Sequence, residues 1–152
     1  MKLLEYEAKT VLRHYKIPIP AGTIIRNSKE LPDTPVVIKS QVPVGGRGKA
    51  GGIKVVKDAS ELAGVIDTVL HLTIKRHTPT AVLCEELIDI QNEYYLSLVI
   101  NRSKSCIELV AHPSGGMEIE SNNAADFLHI ALTGNNADAA GEALSELYGL
   151  PD

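Results

Sequence analysis

The feature of this sequence that most constrains its fold is a glycine-rich segment between two runs of β-branched residues. Five of the eight residues 45–52 are glycine, and the flanking runs are 36–39 and 53–56. β-branched residues favour strands, whereas glycines reach backbone conformations closed to other residues and let amide groups approach an anion closely. The segment therefore predicts a strand, a flexible lid and a returning strand. Lys39, Arg47 and Lys49 add positive charge, which favours a polyphosphate ligand such as a nucleotide.

Three better-known glycine motifs do not fit this segment. Residues 46–51 match the spacing of the dinucleotide fingerprint, but its glycines open a helix, and these precede a strand. In the P-loop pattern, Pro43 replaces the first glycine and Ala50 replaces the magnesium-binding Ser or Thr. In protein kinases the phosphate-binding lysine follows the loop, whereas Lys39 precedes it, and no HRD or DFG sequence follows here. A glycine-rich hairpin over phosphates remains.

A simpler interpretation of the same segment stays open. The glycines can form an ordinary flexible hairpin whose cations only keep it soluble, and a lysine that ends an apolar strand is often a snorkelling surface residue. The concentration of glycine and positive charge in a chain of net charge −4 favours the anion site.

The rest of the composition is typical of a globular domain. With 152 residues, 44% of them hydrophobic, the chain is long enough to bury a core. The net negative charge and the scarcity of aromatic residues argue against nucleic acid as a partner. Cys84 and Cys106 form no CxxC motif, so we expect reduced thiols. Nothing resembles a signal peptide or a membrane span, so we expect no membrane partner and a cytoplasmic protein, or a mitochondrial matrix protein if a targeting segment has been removed.

Apolar spacing predicts the first helices and strands. Residues 3–15 predict a helix with a core-facing apolar stripe, and residues 23–25 an apolar segment. Residues 58–61 match a capping box, so a helix follows. Its inward residues are expected to be Leu62, Val65, Ile66, Val69 and Leu70. Three further strands are expected at 81–88, 94–100 and 106–111. Their short connections predict an antiparallel meander and an α+β class.

The C-terminal third predicts helices. Apolar residues at 127–132 and in 139–148 indicate two helices with apolar faces but no strands to cover them, so part of a lobe would be missing or supplied by a partner. Glu118 and Glu120 alternate as on a short strand, and we interpret them as structural or interface residues rather than an acid–base pair.

Several segments together resemble the start of the β subunit of succinyl-CoA synthetase. The segments are residues 4–9, 18–20, 37–52, 93–95, 101–103 and 115–120. The resemblance implies a partial ATP-grasp domain over 1–152, mostly antiparallel, with a glycine-rich hairpin lid, flanking helices and an incomplete second lobe. It places the nucleotide-binding lobe at about 20–98, and part of the second lobe at about 1–19 plus 99–152.

The resemblance also implies roles for individual residues. Lys39 matches the lysine that contacts nucleotide phosphates, and Gly46-Arg47-Gly48 matches the lid segment that closes over them. Glu85, Ile88 and Glu93 match the base-and-ribose contacts, with strand backbone reading the adenine edge and the Glu93 carboxylate accepting from the ribose diol. By themselves, Glu85 and Glu93 would be interpreted as solvent-facing strand residues. At Pro20 the sequence resembles that of the ATP-preferring members of the family, and this resemblance favours ATP over GTP.

The implied reaction is an ADP-forming succinate–CoA ligation. Phosphoryl transfer links ATP with a phosphohistidine on an α subunit, while succinate and CoA bind parts of the complex outside this chain. The magnesium ligands are expected beyond Asp152, so no metal site is assigned here, and the five histidines lack ligand spacing. By itself this part of the chain is expected to be inactive, with no catalytic residue. Two alternatives remain: a stand-alone nucleotide-binding module, or part of a related malate–CoA or citrate-cleaving ligase.

Overall fold

The computed structural model describes residues 2–116 and 118–151. The chain divides into two compact units, Met1–Asp89 and Ile90–Asp152. Helices and strands follow in the order α1 Glu5–His14, β1 Gly22–Ile25, β2 Val36–Ser40, β3 Ile53–Val56, α2 Ala59–Leu70, β4 Val82–Glu86, β5 Tyr95–Asn101, β6 Cys106–His112, β7 Leu128–Leu132 and α3 Ala137–Tyr148. All strand pairs among the described residues are antiparallel, which confirms the predicted α+β class.

The compact units do not coincide with the predicted lobes. Residues 1–19 lie in the first unit, with the glycine-rich segment, and residues 90–98 lie in the second. The two lobes of a whole ATP-grasp domain stay a prediction.

The first unit is a four-stranded sheet in the order β1-β4-β2-β3. Every second residue of β2 faces α2, and two of these residues are Val36 and Ile38. Leu62 and Ile66 of α2 are buried against them. The Asp58 carboxylate accepts a hydrogen bond from the Ser60 N–H at 2.8 Å, so the predicted N-cap of α2 is confirmed. This face of the sheet holds the main apolar core of the unit.

The opposite face of the sheet carries α1, and here the predicted apolar contact is wrong. None of the residues of α1 is buried, and Val11 and Leu12 are 47% and 38% exposed. The helix is attached mainly through polar groups, including the Tyr6 N–H, which donates to Gln41 Oε1 at 3.2 Å.

The second unit is a three-stranded sheet in the order β5-β6-β7, and it corrects two predictions. Strand β4 belongs to the first sheet, so the predicted pairing of the strands at 81–88 and 94–100 is wrong. Residues 128–132 form a strand rather than a helix, because Leu128, Ile130 and Leu132 alternate along it.

Helix α3 packs on this second sheet, so the expectation of helices without covering strands is also wrong. Ala140 is buried against Leu109 and Ala111 of β6, and Gly149 ends the helix with a φ of 63°. Residues 119–121 form a 3-10 turn where a strand through Glu118 and Glu120 was predicted, and Met117 of that segment lies outside the described residues.

Candidate functional site

The antiparallel register of the first sheet brings Lys39 and Glu85 together. Lys39 pairs with Leu83 and Glu85 pairs with Val37, so the two charged residues are diagonal neighbours on one face of β2 and β4. Long side chains at such positions can meet. Lys39 Nζ lies 2.5 Å from Glu85 Oε2, on the face that carries α1.

Glu85 is a buried carboxylate held by two ammonium groups. Its side chain is 2% exposed, and Lys9 of α1 donates to its second oxygen. Gly22 on β1 makes room for it, because a Cβ at Gly22 would lie 2.9 Å from Glu85 Cγ. The solvent-facing position expected for Glu85 from the residues alone is therefore wrong.

Glu5 connects the same lysines to the lid. Its Oε1 lies 3.2 Å from Lys39 Nζ and 3.4 Å from Lys9 Nζ, and its Oε2 lies 2.7 Å from Arg47 Nη2. Arg47 also donates from Nη1 to the Ser40 carbonyl at 2.9 Å. We call Glu5, Lys9, Lys39, Arg47 and Glu85 the charge cluster. It joins α1, two central strands and the glycine-rich segment.

Burial and ion pairing compete at the titratable groups of the charge cluster. Burial by itself would raise the pKa of the Glu5 carboxyl, but the charges of Lys39 and Arg47 outweigh it and hold that pKa below its usual value. Burial would likewise lower the pKa of the Lys39 ammonium, but its hydrogen bond to Glu85 and the charge of Glu5 raise it. Both groups are therefore charged near neutral pH.

The predicted strand–lid–strand arrangement is present, and the lid is locally ordered. We use the term glycine lid for residues 45–52. Gly46 has a φ of 83°, a left-handed conformation that favours glycine. The Ala50 N–H donates to the Gly46 carbonyl at 3.1 Å, and the Gly51 N–H donates to the Gly48 carbonyl at 3.0 Å. The loop is thus a tight coil rather than an open hairpin, and it returns directly into β3.

The two remaining predicted contact residues lie outside the strands. Ile88 follows β4 and is 46% exposed. Glu93 belongs to the second unit, where its backbone carbonyl accepts the Gly115 N–H at 2.8 Å and its side chain is beside Gly116. The charge cluster unites Lys39, Arg47 and Glu85 of the predicted set.

A family profile described as the ATP-grasp domain matches residues 2–143. The chain belongs to the ATP-grasp family. Among curated proteins, it is 40% identical over 126 residues to a succinate–CoA ligase [ADP-forming] subunit β from Ignicoccus hospitalis, covering 79% of this chain and 34% of that protein. It is 42% identical over 132 residues to the ADP-forming sulfoacetate-CoA ligase subunit SauC from Bilophila wadsworthia, covering 83% and 35%.

The fold of this ATP-grasp chain also resembles solved structures. A crystal structure of a Pyrococcus horikoshii protein matches with a TM-score of 0.75 at 21% identity, over 98% of this chain and 66% of that one. The chain spans about a third of the length of the curated relatives it matches.

Three polar residues of the first unit of this ATP-grasp chain border the site without having been predicted: Glu5, Lys9 and Lys75. Glu5 and Lys9 stand one helical turn apart on α1, a spacing that places them on one face, but their apolar neighbours suggested a core stripe. Lys75 borders the glycine lid, since a Cβ at Gly46 would lie 3.6 Å from its Nζ. No motif marks Lys75, because a turn of residues 74–77 brings it there.

The charge cluster does not suit magnesium. Mg²⁺ prefers an octahedron of oxygen ligands. Both carboxylates of the cluster, Glu5 and Glu85, instead form ion pairs with lysine or arginine side chains. Within residues 2–116 and 118–151 no group of three or more His, Cys, Asp or Glu side chains is placed to hold a metal ion. In the same ranges no helix has the length and apolar character needed to cross a membrane.

Proposed function

We propose that this chain is the ATP-binding part of the β subunit of an ADP-forming acid–CoA ligase. In that reaction a phosphoryl group passes between ATP and a phosphohistidine on an α subunit, and CoA and the acid bind elsewhere in the complex. The observation that carries the proposal is the placement of Lys39 and Arg47 at the base of the glycine lid, joined through one carboxylate. Preorganised cations of this kind stabilise a phosphoryl group during its transfer.

Each part of the lid has a role in this proposal. Lys39 and Arg47 neutralise charge on the nucleotide phosphates, and Arg47 is well suited because its guanidinium can bind two oxygens at once. Gly46 and Gly48 let the backbone approach the phosphates, because a Cβ at these positions would reduce that access. ATP is bound as its magnesium complex, and we assign no magnesium ligand to this chain.

The base and ribose contacts are proposed for Glu85, Ile88 and Glu93. Strand β4 ends at Glu86, so the backbone at Ile88 is free of the sheet ladder and suits the adenine edge. The exposed Glu93 carboxylate can accept two ribose hydroxyl groups. Glu85 would contact the base through its strand backbone, while its carboxylate fixes the Lys39 ammonium.

The acid substrate is left open within this proposal. The relatives named above act, by their names, on succinate and on sulfoacetate. The part of the chain that matches them is the part proposed to bind nucleotide, so ATP is the substrate that we assign, together with an α subunit as partner. A nucleotide-binding module without ligase activity of its own is the alternative.

Calorimetric titration of the chain with MgATP tests the proposal. We expect saturable binding, and Lys39→Met should weaken it by at least about tenfold, since a charged hydrogen bond is worth roughly 1.5–3 kcal/mol. Lys57→Met is the matched control, because Lys57 is an exposed lysine of the same unit outside the charge cluster. Equal affinity of the Lys39 and Lys57 variants would refute the assignment of Lys39.

A further inference from the structure

The charge cluster contains a carboxylate at the position where an anionic ligand would be expected. We propose that Glu5 is an internal anion that pairs with Lys39 and Arg47 when no polyphosphate is bound and leaves them when a polyphosphate binds. The inference rests on the proposed function, because it assumes that these two cations bind phosphate. Glu5 then controls how strongly the site prefers a polyphosphate to a neutral nucleoside.

The contacts of Glu5 resemble those of a bound anion. One oxygen lies 3.2 Å from Lys39 Nζ, and the other lies 2.7 Å from Arg47 Nη2, so a single carboxylate spans the lysine of β2 and the arginine of the lid. Lys9 Nζ, 3.4 Å from Glu5 Oε1, is the third cationic group around this carboxylate. A phosphate group needs the same donors, and the carboxylate and the phosphate therefore compete for them.

The balance of charge favours that exchange. The charge cluster has three cations and two carboxylates, so its net charge is 3 − 2 = +1. When Glu5 withdraws, the three cations face only Glu85, and the net charge becomes 3 − 1 = +2. A site with this charge attracts a polyphosphate more strongly than a neutral nucleoside.

Glu5 is also the carboxylate of the two that can withdraw. Glu85 is 2% exposed and is fixed on a central strand, whereas the Glu5 side chain is 18% exposed in the first turn of α1. No residue of that helix is buried, so little apolar contact opposes a local shift. The structure therefore assigns displacement to Glu5 and permanent support of Lys39 to Glu85.

Displacement of an internal anion lowers the apparent affinity of the site for phosphate. A ligand that binds only the competent form has its affinity reduced by the fraction of that form. Neutralising Glu5 should remove this reduction. For one charged hydrogen bond the gain in affinity is about tenfold.

The test compares three proteins and three ligands by calorimetric titration. The proteins are the wild-type chain, Glu5→Gln and Glu61→Gln, in which an exposed carboxylate of the same unit is neutralised as a matched control. The ligands are MgATP, inorganic tripolyphosphate and adenosine. We expect Glu5→Gln to bind MgATP and tripolyphosphate about tenfold more tightly, to leave adenosine unchanged, and Glu61→Gln to match the wild type.

The outcomes separate this inference from the proposed function. MgATP binding that is unchanged or weaker in Glu5→Gln would overturn the inference, since Glu5 would then only orient the cations. Tighter tripolyphosphate binding with no preference for MgATP would support the inference and refute the nucleotide site. If none of the three ligands binds to any of the three proteins, the inference and the proposed function are both refuted. If Glu5→Gln unfolds, Glu5→Asp replaces it: a shorter carboxylate should give a smaller gain in affinity, and a loss would again overturn the inference.

Discussion

Neutralising the buried carboxylate of the charge cluster should destabilise the first unit. In Glu85→Gln the ammonium groups of Lys9 and Lys39 lose their shared buried anion. Removing one partner of a fully buried ion pair costs about 3–5 kcal/mol. Here both lysines keep Glu5 within 3.4 Å, and about a fifth of each side chain reaches solvent, so we expect a loss of about 2 kcal/mol in the free energy of unfolding.

Urea denaturation followed by far-ultraviolet circular dichroism measures this loss. On a chain of this length the same change lowers Tm by about 4–8 °C. The control here is Glu30→Gln, at an exposed position outside the helices and strands of the unit, for which the change should stay within about 0.5 kcal/mol. If Glu85→Gln is as stable as this control, the charge cluster does not hold α1 and the sheet together, and the reasoning fails.

Three further predictions concern the lid, the thiols and pH. Gly52→Ala should destabilise the chain by about 1–3 kcal/mol, because the new Cβ would lie 2.4 Å from the Ser40 hydroxyl oxygen. Gly45→Ala is the control, since its new Cβ would have open space around it. In thermal melting Gly45→Ala should match the wild type, and an equal Tm for Gly52→Ala would contradict the prediction. Iodoacetamide should alkylate Cys106 well before Cys84, because burial raises the pKa of the Cys84 thiol to about 11. Mass spectrometry of partly alkylated protein measures the order of alkylation, and modification of Cys84 first would contradict this prediction. The lowered pKa of Glu5 gives the folded state a stability that is fully present above the usual value of about 4.3. The stability advantage of wild type over Glu5→Gln should therefore shrink as pH falls below that value and be lost once pH passes below the lowered pKa of the folded state. An advantage that persists at still lower pH would contradict the assigned ion pairs.

Local patterns in the sequence predicted the strands and helix that surround the lid. The β-branched runs at 36–39 and 53–56 form β2 and β3, and the Asp58 cap begins α2. These elements depend on nearby residues, so their periodicity and capping are visible in the sequence.

The charge cluster was not predictable in the same way. Lys39 and Glu85 are 46 residues apart in the sequence, and they meet only through the register between β2 and β4. Glu5 and Lys9 reach them because α1 turns its polar face to the sheet, although its apolar spacing indicated the opposite. The error at 127–132 has another cause: these apolar residues fit a helical spacing and a period of two, and only packing against α3 distinguishes them.

The two faces of the first sheet should differ in their sensitivity to dissolved salt. Sodium chloride screens the ion pairs that attach α1, although less strongly than at a fully exposed surface. The apolar contacts between the sheet and α2 are not weakened by such screening. Rising ionic strength should therefore loosen the N-terminal helix while the remainder of the unit stays folded, and proteolysis within residues 5–14 should become faster before any global unfolding.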